Sequence, residues 1–176
     1  MADKRALLVA LGLALSGGGC ISLFPSPITP DTGRPQQGVR PDFLTLTPIR
    51  WSRGNVIAAA ISQDGMVFDR GVPIGTLRAD GTVRTRDLKR ALIMDQDGTV
   101  HVAPGFDVII GNDGTAVSRV HGQPDETVTL EKVKEPRNGQ PGLTVEGLDA
   151  NNARTAMWIL MIPDLLRLLA NLEDGT

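Results

Sequence analysis

The chain has 176 residues, a formal net charge of −2, 41% hydrophobic and 22% charged residues, one cysteine and no tyrosine. The length holds one domain with a core plus tails. The charge gives no general attraction to nucleic acid, and the few aromatics argue against a base-stacking platform. A single Cys20 excludes an internal disulfide, CxxC redox chemistry and a cysteine-rich zinc site.

The first twenty residues, MADKRALLVALGLALSGGGC, have three zones. Lys4 and Arg5 make a positive start, Ala6 to Leu15 is an apolar run, and Ser16 to Gly19 are small. The run has the length of a signal-peptide core and is too short for a permanent membrane span. Small residues ending in Cys20 resemble the lipobox of bacterial lipoproteins, with Gly19 before the cut and Gly17 where that pattern has Leu. The resemblance implies cleavage before Cys20, acylation of its thiol and amine, and a stable anchor in the lipid bilayer. Ile21, which is not Asp, directs the expectation to the outer membrane. Residues 25–41 then hold five prolines and two glycines, the composition of an extended spacer.

The next stretch is repetitive. Asp-Gly pairs stand at Asp64-Gly65, Asp80-Gly81, Asp97-Gly98 and Asp113-Gly114, spaced 16, 17 and 16 residues apart. Three residues before each Asp are Ile61, Leu77, Met94 and Ile110; three after are Val67, Val83, Val100 and Ala116. A two-residue loop would set these columns out of step. A three-residue loop (Gln-Asp-Gly, Ala-Asp-Gly, Gln-Asp-Gly, Asn-Asp-Gly) makes them face each other. That loop is a type I turn followed by a left-handed position that wants Gly. The opposite ends carry turn residues in DRGVP (69–73), TRDLK (85–89) and APGFD (103–107), and WSRGNVI (51–57) echoes FDRGVPI (68–74). TVTLEKV (127–133) and GLTVEGL (142–148) read as two further strands around a PRNGQPG turn.

The pattern Gly71, Ile74, Gly75, Leu77, Asp80, Gly81, Val83 resembles the β-flower repeat families, small bacterial modules of short hairpins around a pseudo-symmetric axis. The resemblance implies a fold and no site. The stretch NNARTAMWILMIPDLLRLLANLED is the strongly helical one. Pro163 should end or kink a first helix and open a second, with Leu165, Leu166, Leu168, Leu169 and Leu172 forming an apolar face that seals the β array. A membrane span is disfavoured by a run of about 16 apolar residues containing Asp164 and Arg167.

Few residues carry chemistry. Asp95-Gln96-Asp97-Gly98 has the acidity of a calcium loop without its full ligand set: counted from Asp95, the twelfth position is Phe106, so no metal is expected. His101, between Val100 and Val102, should point away from their face as a solvated strand residue, and His121 reads as a loop histidine. Asp69 and Asp107 fit their distal turns. No nucleophile motif, Walker motif or dinucleotide fingerprint is present, and no cofactor is expected.

The expectation is a signal peptide (1–19), a lipidated Cys20 with a Pro-rich tether (20–41), a repeat β domain (42–149) and a C-terminal helical segment (150–176). The fold class is mainly β: an antiparallel meander of short repeated hairpins, β-flower or small barrel-like, closed by the helix. The function expected is a non-enzymatic envelope lipoprotein binding or assembling an envelope partner, with no nucleic-acid partner. The alternative is a carrier of a small apolar ligand or lipid held between β array and helix.

Overall fold

The structure, a computed structural model, describes residues 40–85, 91–136 and 139–174. Cys20, the leader and most of the tether lie outside the described residues, as does most of the TRDLK turn.

The protein is mainly β, an antiparallel meander in two sheets with a C-terminal helix. The first sheet holds β1 (Ile49–Arg53), β2 (Val56–Ile61), β3 (Met66–Asp69), β4 (Val72–Leu77), β5 (Thr82–Arg84) and β6 (Leu92–Ile93) in sequence order. The second holds β7 (Thr99–Ala103), β8 (Phe106–Ile110), β9 (Ala116–Val120) and β10 (Glu126–Val128). Among the described residues, the bridge from Met94 to Val100 joins the two sheets. They do not close into a barrel.

Each apolar column residue meets its counterpart. Ile61 faces Val67, Leu77 faces Val83, Met94 faces Val100 and Ile110 faces Ala116. All eight are buried. The register follows from burial: a one-residue slip would turn each pair to solvent.

Two sequence expectations are corrected at the array's end. Residues 127–133 do not form one strand. β10 ends at Val128, and Leu130–Lys134 is a short helix, α1. The Thr129 hydroxyl accepts from Lys132 N at 3.2 Å as its N-cap, and Glu131 lies in the first turn, where the helix dipole favours an acid. The segment 142–148 supplies β11 (Thr144–Glu146), which pairs with β1 and not with β10. The chain end of the array thus returns to its beginning.

The second helix, α2 (Ala153–Asp174), is continuous through Pro163. Its segment from Thr155 to Leu165 is buried on every side, as expected of a helix apolar all round. It packs on β2 of the first sheet and on β7 and β8 of the second. The first half of the helix is therefore core packed against both sheets, while its second half, from Leu166 on, is only partly covered. Burial on all sides holds the helix together across the lost Pro163 donor. Ala153–Leu172 is long and apolar enough to cross a membrane, with mean hydropathy 1.4, so the shorter apolar run read from the sequence does not decide the matter; 61% of that window is buried within the fold, as in a core helix.

The start of α2 is fixed by a polar knot. Asn152 is buried; its Nδ2 donates to Thr47 Oγ1 (2.9 Å) and Gly147 O (2.7 Å), and its Oδ1 accepts from Asp149 N at 2.8 Å. One side chain thus ties the lead into β1, the end of β11 and the helix. Trp51 on β1 adds a second tie: its Nε1 donates to Ala156 O at 2.8 Å inside the core.

Candidate functional site

The four Asp-Gly turns stack into one column. In each, the glycine N–H donates back to the residue before the loop, as in Gly81 N to Arg78 O at 3.0 Å, and the next pair closes the hairpin, as in Arg78 N to Thr82 O at 2.9 Å. Gly65, Gly81, Gly98 and Gly114 have φ of 83°, 82°, 91° and 77°. This is a three-residue loop with a left-handed glycine.

The aspartates are bound within their own turns. Asp80, Asp97 and Asp113 each accept from the backbone N–H two residues on, at 3.0, 2.9 and 2.9 Å. Asp64 accepts from the Ser62 hydroxyl. These bonds hold the carboxyls below the usual range: the Ser62 hydroxyl for Asp64, the Thr99 amide for Asp97 and the Thr115 amide for Asp113. For Asp80, burial pushes upward but is outweighed by the amide and hydroxyl of Thr82 together with nearby Arg78 and Arg40. Carboxylates committed to their own backbone are turn chemistry.

The glycines also join one unit to the next, which the spacing alone does not reveal. Gly65 O accepts from Leu77 N at 2.8 Å, Gly81 O from Met94 N at 3.1 Å, and Gly98 O from Ile110 N at 2.9 Å. A Cβ on these glycines would lie 2.3, 2.4 and 2.0 Å from the carbonyl oxygens of Leu77, Met94 and Ile110. Gly114 ends the column against Leu130 and Ala153 O.

Beyond the column, a row of charged groups crosses the outer face of the second sheet. Arg40 Nη2 lies 2.8 Å from Asp95 Oδ1, and His101 Nε2 lies 3.8 Å from Asp95 Oδ2. His101 Nδ1 is 2.7 Å from Asp107 Oδ1. Asp107 is the strand partner of Arg119, whose Nη2 is 3.0 Å from Asp125 Oδ2. The hydrogen bond from Asp107, its charge and the charges of Asp95 and Asp97 raise the His101 pKa above 6.5. His101 is 68% exposed on a sheet face and not in a cleft. His101 does point away from buried Val100 and Val102, but its acidic partners went unread in the sequence. The register places His101 opposite Asp107, so the pair is recoverable once the hairpin is drawn. Among the described residues, no three His, Cys, Asp or Glu side chains gather to hold a metal. Phe106 is core.

A groove of about 730 Å³ lies between β3–β5 and the second half of α2. Val72, Pro73, Ile74, Leu166 and Ala170 give it apolar walls, and Asp69, Arg84 and Arg167 line it as well. Arg167 binds Asp164 Oδ1 at 2.6 Å and pairs with Asp69, clipping the helix to the β3–β4 turn. Asp69 therefore has a role beyond its turn. No protein-family model, curated protein or solved structure matches the chain.

Proposed function

We propose that the protein is an envelope lipoprotein held in the bilayer through acylated Cys20, with a non-enzymatic β-repeat module that binds or helps assemble an envelope partner. The observation that carries this reading is the succession of a charged start, an apolar run, Gly-Gly-Gly-Cys20 and a Pro-rich spacer ahead of a separately packed module. The turn column supports a scaffold role, because its aspartates and glycines are spent on hairpins and unit-to-unit bonds. The outer membrane is the proposed destination. Separation of membrane and soluble fractions tests the anchor. The native chain should sediment with membranes and the Cys20→Ser chain should not; identical partitioning would sink the reading.

A second reading, carriage of a small apolar ligand or lipid, is favoured by one observation. The groove lies where that reading needs it, between β array and helix, and its volume falls in the range of about 300–1,000 Å³ usual for ligand pockets.

A further inference from the structure

The groove between β3–β5 and α2 has walls that select a ligand class. β4 is paired on one side by β3 and on the other by β5, so it offers no free strand edge to an extended peptide. What it offers is apolar surface from Ile74, Leu166 and Ala170, with two cations, Arg84 and Arg167. Arg167 is already paired with Asp164 and Asp69. Arg84 is exposed and makes no ion pair among the described residues. Counted together, the two arginines are matched by Asp69 and Asp164, so what the groove offers an anion is the exposed Arg84 guanidinium and not an excess of charge. A groove of about 730 Å³ lies within the range of about 300–1,000 Å³ usual for ligand pockets and is long enough along β4 and the helix to take an acyl chain.

We infer that this groove binds an acyl chain bearing an anionic head, the head beside Arg84 and the chain along Ile74 and Leu166. The inference rests on the carriage reading and names its ligand. Charge-assisted hydrogen bonds from a guanidinium give the head its preference, and burial of methylenes gives the chain its affinity.

The test uses the full chain carrying Cys20→Ser, so that no acyl group attached to the protein competes. A fluorescent long-chain fatty acid and the matching alcohol are titrated into this chain, and into versions that also carry Arg84→Glu or Ala170→Trp. Circular dichroism and urea unfolding verify that each is folded. The fatty acid should bind saturably at one site. Arg84→Glu should weaken it by about tenfold and leave the alcohol unchanged, and Ala170→Trp should block both. Equal binding of acid and alcohol, unaffected by Arg84→Glu but lost with Ala170→Trp, overturns the anionic head while sparing carriage. Absence of binding by either probe, or binding untouched by both substitutions, overturns the inference and the carriage reading together.

Discussion

At Gly81, two separate constraints forbid a side chain. The backbone sits at φ 82°, and a Cβ would approach Met94 O to 2.4 Å and Phe43 to 2.7 Å. Gly54 shares only the first constraint: its φ is 55° and nothing lies within 4 Å of an added Cβ. Gly81→Ala should therefore cost about 3 kcal/mol, combining left-handed strain with displacement of packed backbone. Gly54→Ala should cost only about 1 kcal/mol. Urea unfolding of the two variants separates space from conformation, and equal losses would mean that the column is not tightly stacked. A titration probes the charge row on the second sheet. Because the folded pKa of His101 is raised, its contribution is complete below 6.5 and fades as pH rises through the higher folded value. Stability of the native chain should decline across that window, and His101→Gln should remove this part of the decline. The groups concerned are Asp107 on β8 and Asp95 and Asp97 in the turn before β7.

Among the elements, the helix holds the larger lesson. Pro163 takes one donor from a helix that nonetheless runs unbroken from Ala153 to Asp174. Packing from two sheets outweighs a local defect of about 3 kcal/mol. Pro163→Ala should then raise stability by about 1 to 3 kcal/mol in thermal or urea unfolding, and a loss would mean that the kink is used by the packing. The two core tryptophans should differ in the same assay. Trp51→Phe removes a buried bond to Ala156 O and should cost about 1 kcal/mol beyond its lost volume. Trp158 Nε1 has no hydrogen-bond partner among the described residues, so Trp158→Phe carries no such added loss. These elements also mark how far sequence can be read. Hairpin registers were legible because apolar residues stand symmetrically about each Asp, and burial enforces that symmetry. The pairing of β11 with β1 was not, because Trp51 and Val145 meet across a long stretch of chain with no local signal. α1 carried a signal in Thr129 and Glu131, but the valine and leucine around them also suit a strand. In the candidate groove, Asp69 was legible as a turn residue; its link to Arg167 depends on a helix whose position only tertiary packing supplies.

For the whole molecule, the proposed lipid anchor would leave the Pro-rich stretch to set how the module meets the membrane. From Cys20 to Arg40 is about 20 residues, a reach of at most about 70 Å when fully extended. The chain enters the module beside the turn column, where Phe43 N and Leu44 N both donate to Ala79 O at 3.0 Å. The second half of α2, with the groove, packs instead against the β3–β4 turn at the far end of the hairpins. In the proposed account the groove thus lies at the end away from the tether. Radiolabelled palmitate, fed to growing bacteria expressing the native chain or Cys20→Ser, tests the proposed covalent anchor. The native chain should carry label that survives denaturation, and Cys20→Ser should carry none. Equal labelling of the two chains, or no labelling of the native one, would contradict it.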